Sequence, residues 1–186
     1  GVTMPVVRAM EEKGIVKLES MRIYRDPLDL MISRSNQKQE EVKMQTGRDF
    51  FLNEEQQLAV QTIVKEWDQK DKSVYLLHGV TGSGKTEVYM ELIDFVRKQG
   101  KQAIFLIPEI ALTYQMVLRF YQRFGSRVSI LHSRMSAGER YDQYEKAKNG
   151  EIDIMIGPRS ALFTPFSNLG LIIIDEEQEG AYNSEQ

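Results

Sequence analysis

From Asn53 onward, hydrophobic and polar positions follow a regular cycle. Short apolar runs recur as "SVYLLH" (73–78), "QAIFLIP" (102–108), "RVSILH" (127–132), "DIMIG" (153–157) and "LGLIIID" (169–175). Runs this short and this continuous predict strands buried on both faces, as in a parallel sheet. Between them the apolar residues fall at helical spacing. "NEEQQLAVQTIVKEWDQ" predicts a helix with Asn53 as N-cap, Gln56 in the capping-box position, and Leu58, Ile63 and Trp67 along its apolar side. "KTEVYMELIDFVRKQ", "EIALTYQMVLRFYQRF" and "SAGERYDQYEKAKN" predict further helices, ended by Gly100, Gly125 and Gly150. Strand–helix alternation of this kind predicts an α/β fold, a parallel sheet covered by helices on both faces.

The first fifty residues follow a different pattern. "MPVVRAMEEKG" predicts a helix closed by Gly14, and "IVKLES" and "MRIYRD" predict two short strands. Many winged-helix modules end with a helix and a two-stranded wing. Residues 1–32 are therefore expected to be the C-terminal part of a winged-helix-like DNA-binding domain. The polar, weakly periodic stretch 33–50 reads as a linker, and 51–186 as the α/β domain.

Composition narrows the class. Hydrophobic residues make up 41% of the 186 and charged residues 27%, as in soluble globular chains. No apolar run approaches the roughly 20 residues of a membrane span. With no Cys, and with His78 and His132 the two His, neither a disulfide framework nor a Cys-ligated zinc site is available. A reducing cytoplasm is the simplest setting. The net charge of −3 does not announce a nucleic-acid binder, nor does it exclude one, because phosphate contacts depend on local Lys, Arg and N–H groups.

Two motifs carry chemistry. "GVTGSGKT", Gly79 to Thr86, fits the phosphate-binding pattern G-x-x-x-x-G-K-[ST] between an expected strand and an expected helix. Gly79, Thr81, Gly82, Ser83 and Gly84 would curl the backbone so that successive N–H groups face the phosphates of ATP. Lys85 would reach the β- and γ-phosphates, and Thr86 would place its hydroxyl on Mg²⁺. "LIIIDEEQEG" supplies the other half: in P-loop ATPases an acidic residue at a strand end holds the metal, beside a residue that orients the attacking water. Asp175 is expected in the first role and Glu176 in the second.

"LNEEQ", "GVTGSGKTEVY", "LIPEIALT", "LHSRMSAGER", "IGPRSALFTP" and "LGLIIIDEE" together resemble successive motifs of the PriA family, the bacterial replication-restart DNA helicases of superfamily 2. The likeness covers roughly Phe51 to the end. It implies a RecA-like P-loop NTPase lobe and ATP-driven 3′–5′ movement on single-stranded or forked DNA. It further implies primosome assembly at stalled forks in the bacterial cytoplasm, at the nucleoid, with helicase-loader and single-strand-binding proteins as partners and no membrane. Gln56 would correspond to the glutamine that reads the adenine edge. Pro108, Glu109 and Thr113 in "PEIALT", Ser133 in "LHSRMS", and Arg159 and Ser160 in "GPRSALF" would touch the DNA backbone.

One position departs from the family. Gln178 stands where His is usual; either side chain can bond the γ-phosphate or a partner across the lobe cleft, but Gln cannot carry a proton. The resemblance also implies a second lobe carrying an arginine finger and a Cys-rich zinc module, neither of which this chain contains. It is accordingly expected to be a truncated first motor lobe, weak or inactive alone as an ATP hydrolase. Two other readings stay open: a lobe of a RecG-like or competence DNA-uptake helicase, or a non-catalytic nucleotide-binding module.

Overall fold

The computed structural model describes residues 3–18, 52–67, 74–80 and 82–175. Helix α1 spans Met4–Glu12, with Pro5 in its first turn and Gly14 just past its end. The strand expected from "IVKLES" is not formed over 15–18, where Ile15 is 63% exposed and no strand pairs with the segment among the described residues. A lone strand has no ladder to satisfy its backbone. "MRIYRD" and the linker lie outside the described residues.

Helix α2, Glu54–Glu66, starts as its sequence dictates. The Asn53 side chain accepts from the Gln56 N–H at 2.8 Å, and the Gln56 side chain accepts from the Asn53 N–H at 2.9 Å. Its inward face differs from expectation: Leu58 is 65% exposed, whereas Ile63, Val64 and Trp67 are half-buried. Trp67 meets Phe95 edge-on at 5.5 Å, which fixes that face toward α3, Lys85–Lys98.

Strands β1 (Gln102–Leu106), β2 (Val128–Ile130), β3 (Ile154–Gly157) and β4 (Leu169–Ile174) form one parallel sheet in the order β2-β3-β1-β4. The two-residue period of β1 feeds two cores. Ala103, Phe105 and Ile107 pack with Tyr89, Met90 and Ile93 of α3 and with Val117 and Phe120 of α4, Tyr114–Phe124. Ile104 and Leu106 point the other way, to Ala147 of α5 (Ala137–Lys148), Leu131, Met155 and Ala161. Burying each such Ile or Phe stabilises by about 1.5–3 kcal/mol. The parallel α/β architecture with helices on both faces is the expected one.

Two further elements depart from expectation. The helix expected from Glu109 to Phe124 is split into a 3-10 turn, Glu109–Ala111, and α4. Thr113 interrupts it: its hydroxyl accepts from the Met116 N–H, which caps a new helix instead of continuing the old one. Residues 74–78, within the strand expected over 73–78, have no regular structure. Among the described residues β4 pairs with β1 alone, and 74–79 stand across a cleft from its other edge. Without a hydrogen-bonded neighbour, Val74 (99% exposed) and Leu76 (75%) remain in solvent despite their β propensity.

Candidate functional site

Parallel strands bring all their carboxyl ends to one edge, and every described candidate residue after the glycine-rich loop sits there, bar Lys85 and Thr86 at the start of α3. Asp175 follows β4, Pro108 and Glu109 follow β1, Ser133 follows β2, and Arg159 and Ser160 follow β3. Backbone bonds continue past the strands and pin these loops together. The Asp175 N–H donates to the Leu106 carbonyl at 2.9 Å, and the Ile107 N–H donates to the Gly157 carbonyl at 3.0 Å. Gly157 allows a close approach, since a Cβ there would stand 2.8 Å from the Leu131 carbonyl oxygen.

The glycine-rich loop ends in Gly84, which caps α3 with φ of +84° and offers no side chain to the first turn. The Glu87 N–H donates to the Gly84 carbonyl at 3.1 Å, so it is the N–H groups of Lys85 and Thr86 that can meet a ligand, and the helix dipole favours an anionic one. A side chain at Gly84 is disfavoured by the left-handed φ, and its Cβ would lie 2.2 Å from Gln56 Nε2, so the Gln56 amide would have to move aside. That amide donates to the Ser83 and Gly84 carbonyls at 3.2 and 3.3 Å, so Gln56 ties α2 to the loop while its oxygen serves the capping box. In this arrangement the glutamine braces the loop. An adenine edge would be read by the lone pair its oxygen has left.

Lys85 Nζ donates to the Gly79 carbonyl at 2.7 Å and the Val80 carbonyl at 3.2 Å. The ammonium thus rests on the loop's own acceptors, within the space phosphates would take. A cleft of about 930 Å³, large enough for a nucleotide, is lined by Gly79, Gly82, Gly84, Lys85, Thr86, Tyr89 and Asp175. Thr81, Glu176 and Gln178 lie outside the described residues.

Tyr89 is the residue that the motifs did not single out. Its hydroxyl donates to Asp175 Oδ1 at 3.1 Å from a ring that is 7% exposed and packed 5.5 Å from Phe105. Burial, then the Asp175 carboxylate beside it, push the Tyr89 hydroxyl well above its ordinary value, so it remains a donor at any working pH. One signal was present in the sequence: Tyr89 is four residues beyond Lys85, on the same face of α3.

The loops after β1, β2 and β3 present a second group. Glu109, Thr113, Ser133 and Arg159 are exposed, Ser160 is half-buried and Pro108 is buried. Thr113 is committed to its N-cap, and the Ser160 carbonyl accepts from the Tyr144 hydroxyl at 3.1 Å. Glu109 Oε1 accepts from both the N–H and the hydroxyl of Ser133, at 2.8 and 2.6 Å. No helix among the described residues is long and apolar enough to cross a membrane, and none of their acidic or His side chains cluster as a ready metal cage.

A family model described as "Type III restriction enzyme, res subunit" matches residues 49–185, which takes in both groups of loops. The chain is 44% identical over 181 residues to the "Replication restart protein PriA" of Bacillus subtilis, covering 97% of this chain and 21% of that protein. The protein of the same name from Chlamydia trachomatis is 51% identical over 131 residues, 70% of this chain and 17% of that one. The Synechocystis namesake is 37% identical over 183 residues, 97% and 20% respectively. The chain therefore spans about one fifth of the length of these curated relatives.

Proposed function

This chain belongs to the family of the Type III restriction enzyme res subunit and is a homologue of the PriA replication restart proteins, and from that premise we propose that it is the ATP-binding first motor lobe of a 3′–5′ DNA helicase acting in replication restart. The observation that carries this reading is the meeting of an uncapped helix start, a lysine and a strand-end carboxylate in one cleft.

Each residue has a task. The N–H groups of the loop and of the first turn of α3 bind the phosphates, and Lys85 exchanges the Gly79 carbonyl for a phosphate oxygen, a stronger charge-assisted bond. Thr86 and Asp175 are hard oxygen donors lining the same cleft, a set that fits Mg²⁺ and would hold it. When bound, the ion supplies charge neutralisation on the phosphates. Tyr89 fixes one Asp175 oxygen, leaving the other to the metal side. Glu176 orients the attacking water, and Gln178 contacts the γ-phosphate through its amide. The loops bearing Pro108, Glu109, Thr113, Ser133, Arg159 and Ser160 face single-stranded or forked DNA. Loader and single-strand-binding proteins are the partners of the whole protein.

Titration with a fluorescent ATP or ADP analogue tests the reading. Lys85→Ala should weaken binding at least about tenfold, since it removes the one cation among the described cleft residues. Equal affinities for the two proteins would sink it.

A further inference from the structure

Ser133 and Glu109 form an arrangement that their assignment as strand contacts does not explain. Two donors of Ser133, its backbone N–H and its hydroxyl, converge on a single oxygen, Glu109 Oε1, at 2.8 and 2.6 Å. The turn from His132 to Met135 closes through the His132 carbonyl, so it makes no use of the Ser133 N–H. Convergent donors aimed at one oxygen are how proteins seat an anion. The positive surroundings agree: the Ser133 hydroxyl and N–H, with His132 and Arg134 nearby, hold the Glu109 carboxyl below its ordinary value despite an opposing push from burial. Both partners are exposed, so the seat is open to solvent.

We propose that Ser133 forms a phosphodiester seat, occupied at rest by the carboxylate of Glu109, and that nucleic-acid binding here is an exchange in which Glu109 leaves as a backbone phosphate enters. This deepens the proposed function and rests on its DNA-binding part. Glu109 lies in the 3-10 turn after the buried Pro108, so its departure requires only side-chain rotation while the turn stays anchored. An acidic residue beside a phosphate path would otherwise only repel it. As the resident of the seat it excludes adventitious anions and is itself ejected by a strand that other contacts hold in place.

The test uses the 186-residue chain, a fluorescein-labelled oligo(dT) and the Ser133 amide resonance in NMR. Glu109→Gln, nearly isosteric, keeps the fold but is a weaker occupant, so it should tighten oligonucleotide binding roughly 3- to 10-fold. Added to Ser133→Ala, the same change should gain little, because the seat has lost its hydroxyl; an equal gain in both backgrounds would mean bulk charge alone and overturn the proposal. In the unaltered protein the Ser133 amide should shift on adding oligonucleotide. Oligonucleotide binding that leaves Glu109→Gln unchanged ends the exchange while sparing the DNA reading, whereas no binding by any variant ends both. A Ser133 shift with inorganic phosphate but none with oligonucleotide would make this a free-anion site and refute the phosphodiester assignment.

Discussion

The Tyr89 hydroxyl and Asp175 Oδ1 are 3.1 Å apart, joining the first helix after the glycine-rich loop to the last strand described. Removing that hydroxyl frees the carboxylate to rotate while leaving the packed ring in place. Tyr89→Phe should therefore leave metal-free nucleotide affinity unchanged and raise the Mg²⁺ concentration needed for half-maximal binding roughly tenfold, the usual cost of losing a partner behind a metal ligand. Mg²⁺ titrations at fixed nucleotide check this; an unaltered midpoint would reduce Tyr89 to a packing residue.

Gly84→Ala should destabilise the chain by at least about 1–2 kcal/mol, the cost of a left-handed backbone for a residue with a Cβ. Contact with the Gln56 amide adds to it. In a Gln56→Ala background the same substitution should cost less, because the crowded amide is gone. Urea denaturation of the four proteins measures the coupling. Strict additivity would show that the loop does not lean on Gln56.

These residues mark how far local pattern could go. β1, β2 and β3 were legible because each is a run buried on both faces, whereas β4 has the same apolar pattern but leaves Leu169, Ile172 and Ile174 exposed. Residues 73–78 have the same pattern, yet 74–78 are not a strand, since pairing depends on a neighbour that no local signal reveals. Thr113 fits mid-helix or cap equally well by sequence, and the capping bond decided it. Gln56 was legible as a capping residue, but its bond to a loop 27 residues away was not. Tyr89 could have been found by following the helix face from Lys85.

Hydrolysis by this chain should be slow, with little change on adding single-stranded DNA. No arginine is among the described residues lining the cleft, and an arginine finger is worth about 10³–10⁵ in rate. Steady-state phosphate release with and without oligonucleotide decides it; strong stimulation would mean that the cleft is completed from within this chain.

Asp153 receives Arg97 Nε at 3.1 Å and Arg127 Nε at 2.9 Å, which joins α3 to the loops before β2 and β3. Burial raises its carboxyl, but the bonds from Arg127 and Arg97 outweigh it, leaving the carboxyl below its ordinary value when folded. A depressed carboxyl stabilises above its unfolded value, about 3.9, and that contribution is lost as pH falls through the folded value. Asp153→Asn should lower the melting temperature at neutral pH, and the deficit should shrink below about pH 4. A deficit independent of pH would assign the effect to packing.

Phe120 is fully buried between Phe105 and Phe124, with ring centroids 5.4 and 6.0 Å away. Phe120→Ala should cost about 3–5 kcal/mol in equilibrium unfolding, because the sheet and α4 can collapse only partly into the void. A loss below about 1 kcal/mol would show that this core repacks.

The carbonyl of Leu106 and the N–H of Ile107 belong to one amide group, and that group holds the acidic strand end on one side and the Gly157 loop on the other. An amide is planar and resists twisting, so it works as a crossbar: neither loop can tilt about the sheet edge without turning it and dragging the other. On the proposed reading, a nucleotide that moved Asp175 would turn this peptide plane and with it the base of the Arg159 loop. Amide exchange at Asp175 and Ile107 should slow together when nucleotide binds, like two pans hung from one beam.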